Sequence, residues 1–264
     1  MTWTRSRSRL TMEFSANLGF LYRDRPLAEA MRAAARDGFA AVEMHWPYAT
    51  PARELTQVAR AVGIHVVAIN TPTGDKAGDF GLAAVAGRET EFAAGFALAA
   101  DYARELETSA IHVMAGVGGD EDTFRRNLSR AARLAPDLTL LIEPINQQDR
   151  PGFFLRDTRH AISVVEAVGA ENLKIMFDCY HAHKTEGAVS RWLETALPHV
   201  GHIQIAGCPH RNEPDQGEVA YPPILRSLAK RGYARPIGAE YHPRGQTEDG
   251  LAWLKDWRAI QSDI

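Results

Sequence analysis

Eight times along the chain a short, nearly unbroken apolar run gives way to an amphipathic stretch. The runs cover residues 14–21, 40–46, 65–70, 110–115, 138–146, 173–180, 202–206 and 236–241. Strands that alternate apolar and polar residues present one face to water, whereas continuous apolar runs are the mark of strands covered on both faces. The amphipathic stretches between them read as helices. They cover 26–37, 50–62, 89–107, 120–134, 157–169, 188–197, 221–232 and 248–257. Pro26, the pair Thr50-Pro51, Asp120 and Asp157 mark starts, with Thr50 expected as an N-cap and Pro51 as the first helical residue. Gly38, Gly63 and Gly169 mark ends. Strict strand–helix alternation implies a parallel sheet with right-handed crossovers. No GxGxxG follows the first run and no phosphate-binding loop occurs. Eight units in a chain of 264 residues therefore close into an α/β (β/α)8 TIM barrel better than they spread into an open sheet.

The barrel is expected to be one domain over 12–264, with 1–11 as a disordered leader. Arg5, Arg7 and Arg9 in that leader precede no apolar run, so it is not a secretory signal. No apolar run approaches the ~18 residues of a membrane span. The formal net charge is -3, without the basic excess of a chain built to wrap nucleic acid. Two cysteines, Cys179 and Cys208, make no disulfide framework and suit a reducing cytoplasm. Trp192, Trp253 and Trp257 fall in helical stretches and read as packing or as part of the interface of a homo-oligomer.

A barrel of this kind carries its active site at the C-terminal ends of its strands. Polar residues there are Glu43 and His45 on the second run, Asn70 on the third and His112 on the fourth. Glu143 and Asn146 lie on the fifth, Asp178 and His181 at the sixth, His202 and Gln204 on the seventh, Glu240 and His242 at the eighth. One carboxylate in an apolar strand is readily explained by a salt bridge. Three around one rim repel each other, and a divalent cation resolves the conflict. With Gln204 between them, four successive strands each offer one oxygen. Such a set suits a hard ion, Mg2+ or Mn2+, better than zinc.

The segments FSANLGFLY, AAVEMHWPY, HVMAGV, LLIEPIN, PGFFL, FDCYH, GHIQIAG, RNEPDQGEVAYP and EYHPRGQTEDGLAWL span about 14–257. In combination they resemble the hydroxypyruvate isomerase family of xylose isomerase-like barrels. The resemblance implies that Glu143, Asp178, Gln204 and Glu240 bind one divalent metal, with Glu143 and Glu240 as the acid–base pair. It implies interconversion of hydroxypyruvate and tartronate semialdehyde through an enediolate, with no nucleotide cofactor. Gln204 stands where the related ketose 3-epimerases usually carry histidine. Cys179, His45, Ala182-His183 and Gly207-Cys208 depart from the family's usual residues beside the site.

A substrate carboxylate also needs a cation or hydrogen-bond donors. His181, His210 and Arg211 are candidates, and His112 and Asn70 line the same pocket. Against these readings, Arg211 could pair with Glu213 or Glu218 in its own loop, and His112 could be a satisfied interior residue. Rival functions on the same scaffold are a 2-oxo-tetronate isomerase and a ketose 3-epimerase. An endonuclease IV-like DNA-repair enzyme is a remote alternative, since it needs a histidine-rich multi-zinc site and a basic groove. The expected partner is a small keto acid or sugar, without nucleic acid or membrane.

Overall fold

A computed structural model describes residues 12–260, so the leader expected at 1–11 lies outside the described residues. Eight parallel strands close in sequence order, β1 through β8, with β1 pairing β8. They are β1 Phe14–Asn17, β2 Ala41–Met44, β3 His65–Asn70, β4 Ala110–His112, β5 Thr139–Ile142, β6 Leu173–Asp178, β7 Val200–Ile205 and β8 Ile237–Ala239. The helices are α1 Leu27–Arg36, α2 Ala52–Val62, α3 Glu89–Leu106, α4 Glu121–Leu134, α5 Thr158–Val168, α6 Cys179–Glu186, α7 Val189–Ala196, α8 Tyr221–Lys230 and α9 Ala252–Arg258. The order of elements is the one read from the apolar runs, with α6 as an additional helix between β6 and α7.

Most strands are shorter than their runs. The run at 138–146 stays in the ladder only through Ile142, and Glu143 lies just beyond it. Side-chain polarity marks burial, whereas a ladder ends where neighbouring backbones diverge, and a widening mouth makes them diverge early. Two local expectations need correction. Thr50 does not cap α2: Pro51 is its N-cap, extended at ψ 130°, and no side chain caps that helix, while the Thr50 N–H closes the short 3-10 turn Pro47–Ala49. The run 173–180 does not stay extended. Asp178 Oδ1 accepts from Tyr180 N at 2.8 Å and starts α6 immediately. Asp120 and Asp157 do cap α4 and α5, each accepting the backbone N–H three residues on.

Strand register decides which polar side chains meet at the barrel mouth. Asn17 pairs with Glu43, Asn70 with His112, and Asp178 with Gln204. Polar residues that are distant in sequence thus arrive side by side at one end of the barrel. Gly238 is needed for the same reason. A Cβ there would collide with Glu43 Oε1, so the missing side chain leaves room for that carboxylate.

The tryptophans of the last helix belong to the core of this chain. Trp253 and Trp257 are buried, and Trp253 meets the ring of Phe14 edge-on at 5.2 Å. Neither is left for a subunit interface, while Trp192 is half-buried under Arg159. Because α9 packs against the first strand through Trp253, Trp253→Ala should cost about 3–5 kcal/mol, the usual range for deleting a buried aromatic. Urea unfolding followed by circular dichroism measures it, and a loss under about 1 kcal/mol would show that α9 is not integral to the barrel.

Candidate metal and active site

A cavity of about 440 Å³ opens at the C-terminal ends of the strands, and Glu143, Gln204 and Glu240 all line it. Asp178 lies under them, its side chain fully buried. Arg211 ties the rim together. Its Nη2 lies 3.1 Å from Asp178 Oδ2 and 2.8 Å from Glu240 Oε2. The guanidinium is held between the rings of Phe20 and Tyr180, at 4.7 and 4.9 Å. Its backbone has a φ of 56°, a conformation that costs a non-glycine residue energy and persists only where surroundings enforce it. The loop pairing expected as the alternative for Arg211 is not made. Glu213 accepts from the backbone N–H of Arg244, and Glu218 pairs with His183.

The carboxylates are perturbed in a pattern set by their neighbours. Burial, then Glu240 and Asp178, pushes Glu143 well above the ordinary carboxyl range. Burial pushes Asp178 up to about 7, with Glu240 adding to it and Arg211 opposing. Burial also acts upward on Glu240, but the Arg211 guanidinium and the hydrogen bond from His45 outweigh it and hold Glu240 down to about 2. Arg211 stays charged, because the three carboxylates outweigh its burial.

Gln204 is oriented by a second buried acid. Its Nε2 donates to Glu43 Oε2 at 2.8 Å, and Glu43 Oε1 also accepts from Ser15 Oγ at 2.6 Å. That leaves Gln204 Oε1 buried and without a hydrogen-bond partner. Glu143 Oε1 is likewise without one. Buried acceptors are normally satisfied, so two orphaned oxygens beside crowded carboxylates are a specific deficiency. A dication fits it, since it would take both oxygens and discharge the repulsion among the acids.

His181 has its orientation settled by Asn146. The Asn146 Oδ1 accepts from the N–H groups of Gln148 and Asp149, so its Nδ2 must be the atom 2.6 Å from His181 Nδ1. Nδ1 is then the acceptor and Nε2 carries the proton. Nε2 lies 3.7 Å from Glu143 Oε1 and 3.6 Å from Asp178 Oδ2. The geometry groups His181 with Glu143 and Asp178 closely enough for a shared ion. In this tautomer, however, His181 presents a proton rather than a lone pair, which suits a donor to an oxygen. His112 is buried, its Nδ1 is 3.6 Å from Glu143 Oε2, and burial first of all pulls its pKa down to about 4. Its Nε2 has no partner, so it is not a satisfied interior histidine. Asn70 and His210 both line the cavity, and His210 is exposed at its edge.

Asn17 and Ser15 were not legible as part of the site, and the partners of the strand-end residues Glu43 and His45 were not either. Asn17 Nδ2 donates to Glu240 Oε1 at 3.0 Å, and His45 Nε2 lies 2.9 Å from the same oxygen. Ser15 and Glu43 form the layer beneath Gln204. An asparagine at the C-terminal end of the first strand is the signal that would have found Asn17. Nothing in the sequence singles out Ser15.

A family model described as xylose isomerase-like TIM barrel matches residues 31–257. A 2-oxo-tetronate isomerase of Cupriavidus necator is 42% identical over 92% of this chain and 98% of its own length. The hydroxypyruvate isomerase of Escherichia coli is 37% identical over 94% of this chain and 100% of its own. Among solved structures, one described as an AP endonuclease of family 2 from Brucella melitensis superposes with a TM-score of 0.90. It is 38% identical, and the match covers 94% of this chain and 99% of that one. A D-psicose 3-epimerase from Clostridium cellulolyticum shares the fold at 18% identity, with a TM-score of 0.75 over 94% and 91% of the two chains.

The raised Asp178 gives the metal-free protein a pH signature. Unfolded, its carboxyl titrates near 3.8, and folded, near 7. Between these values the folded chain holds more protons than the unfolded one, so this contribution to stability is complete below about pH 3.8 and is lost as pH rises through 7. Below about pH 6.5 the lowered histidines His112, His181 and His242 act the opposite way, so thermal melts of chelator-treated protein between about pH 6.5 and 8 should show Tm falling as pH rises, and saturating Mg2+ or Mn2+ should flatten that slope. An unchanged slope with metal would show that the acids are not where the ion binds.

Proposed function

Because the chain belongs to the hydroxypyruvate isomerase family of xylose isomerase-like TIM barrels, we propose that it is a divalent-metal-dependent isomerase of a short 2-oxo acid, with hydroxypyruvate as the leading substrate. The observation that carries the reading is the pair of differently compensated carboxylates, Glu143 and Glu240, on one cavity.

The reaction moves a proton from C3 of hydroxypyruvate to C2, while the hydroxyl proton passes from O3 to O2. A dication held by Glu143, Asp178, Gln204 and Glu240 would supply Lewis-acid stabilisation of the charge that develops on the substrate oxygens. The chain's own groups do the rest. One of Glu143 and Glu240 takes the carbon-bound proton and the other returns one to the neighbouring carbon, giving an enediolate between the two transfers. Each positioned acid or base is worth roughly 10²–10⁴-fold. Asn17 and His45 hold Glu240 on Oε1, and Arg211 holds its Oε2 at the rim of the cavity. His181, with Nε2–H directed at the rim, is placed to donate to a substrate oxygen. Arg211 spends Nη2 on Asp178 and Glu240 and Nε on the Glu240 carbonyl, which leaves Nη1 as its donor for a substrate carboxylate, and His210 at the cavity edge is its neighbour. The aromatic walls, Phe20 and Tyr180, keep water from the guanidinium.

The cavity admits a three- or a four-carbon acid, and the relatives carry both activities in their names, so 2-oxo-tetronate is the second substrate to assay. A ketose 3-epimerase is disfavoured by Gln204 at the strand-seven ligand position. An endonuclease needs a basic groove for phosphates. Here 30 Lys and Arg stand against 33 Asp and Glu, and Arg211 is paired with carboxylates.

Dialysis against a chelator should abolish turnover, and Mg2+ or Mn2+ should restore it without nicotinamide or flavin; retention of full activity in excess chelator contradicts the proposal. Glu240→Gln keeps the size and one oxygen but cannot act as a base. With metal content verified in the same sample, kcat on hydroxypyruvate should fall by at least about 10²-fold, whereas Gln204→Glu, which spares both proposed acid–base groups, should be less damaging. Turnover of metal-saturated Glu240→Gln within a few-fold of wild type would reduce Glu240 to a ligand and end the two-carboxylate mechanism.

A further inference from the structure

Outside the acidic rim, one cluster brings together three different kinds of metal-binding side chain. A ring nitrogen of His183, the Sγ of Cys208 and a carboxylate oxygen of Glu218 all lie within 4.8 Å of one another. His183 is in the last turn of α6. Cys208 and Glu218 stand at the two ends of the loop that follows β7. That loop is folded tightly on itself. Gly207 N–H donates to Asn212 O at 2.8 Å, and Glu218 N–H donates to Cys208 O at 3.0 Å. A Cβ on Gly217 would come within 2.6 Å of Cys208 O, so only glycine lets the two ends approach this closely. The backbone therefore sets Cys208 and Glu218 side by side whether or not anything binds them.

We propose that His183, Cys208 and Glu218 form a second metal site, distinct from the acidic rim, which takes a borderline-soft divalent ion such as Zn2+ and fastens the Arg211 loop to α6. The donors are one sulfur, one imidazole nitrogen and one carboxylate oxygen, the set zinc favours and Mg2+ does not. Around a tetrahedral zinc, bonds of about 2.0–2.3 Å put neighbouring donors roughly 3.3–3.7 Å apart. His183 Nε2 and Glu218 Oε2 are already 2.9 Å apart, so the ion needs them to open slightly and Cys208 Sγ to close in. Cys208 is buried, His183 is partly covered and Glu218 is 62% exposed, so an ion can enter from the solvent side and a fourth position is left for water.

Three protein donors cover both elements that frame the candidate active site. α6 is capped by Asp178 and carries His181, and the loop carries His210 and Arg211. Fastening one to the other would hold Arg211 over the carboxylates it bridges. Binding must also displace a proton. A metal-bound cysteine is a thiolate, so the ion takes the Cys208 sulfur as S⁻ while the thiol proton leaves to solvent. Affinity should therefore fall as pH falls.

Co2+ tests this directly, because a thiolate ligand gives it a sulfur-to-metal charge-transfer absorption that oxygen donors do not. Titration of the chelator-treated full chain with Co2+ should develop that band and saturate at one equivalent per chain for this site. Cys208→Ser should abolish it. His183→Ala removes a direct ligand and should weaken Co2+ binding at this site by at least the roughly 10–100-fold that loss of a mere supporting partner costs. Glu240→Gln, in the acidic rim, should leave the band intact, which separates this site from the one proposed above. Should Cys208→Ser fail to fold, Glu218→Gln with the wild-type thiol serves in its place and should also weaken the band's titration. A wild-type chain that shows no charge-transfer absorption in excess Co2+ overturns the proposal. So does a band that survives Cys208→Ser, since that places it on Cys179.

Discussion

Four carboxylates buried in the mouth of one barrel are the constraint on which the rest of the structure turns. A carboxylate taken out of water is tolerated only with compensation, and here each acid is compensated differently. Glu43 accepts from Ser15 and Gln204. Asp178 accepts from the N-terminal N–H groups of α6 and from Arg211. Glu240 has Asn17, His45 and Arg211. Glu143 has two histidines, at 3.6 and 3.7 Å, and an oxygen with no partner. The one acid left undercompensated is the one a bound cation would serve best.

The apolar barrel makes this arrangement possible by not yielding. Its strands are buried on both faces, and its outer layer is closed by packing such as Phe14 against Trp253. Rigid strands hold like charges at short range where a flexible surface would let them separate. The cost of that repulsion is met by the packing, and it reappears as shifted protonation at the site. Arg211 is part of the same balance. Its strained backbone and its aromatic walls keep a positive charge where two acids need one.

The same barrel carries other activities. The solved structure of a 3-epimerase shares the fold at 18% identity, which speaks to scaffold and not to reaction. What distinguishes this chain lies at strand ends and in the loops after them. Gln204 is the clearest case, because its amide must be held by Glu43 before its oxygen faces the cavity.

Local sequence determined a good deal. Eight apolar runs with amphipathic stretches between them specify parallel strands and their order, and Gly63, Asp120 and Asp157 end or begin helices through purely local backbone chemistry. The acidic residues were visible because charge inside an apolar run is conspicuous. Tertiary structure decided everything that depends on register and approach. It set where β5 stops, so that Glu143 leaves the ladder. It brought Asn17, His45 and Arg211, spread over most of the chain, onto Glu240. It also placed Cys208 beside Glu218 and His183. Periodicity records which face of an element is buried, but not which atoms of another element meet it there, because that is settled only when the barrel closes and fixes its register.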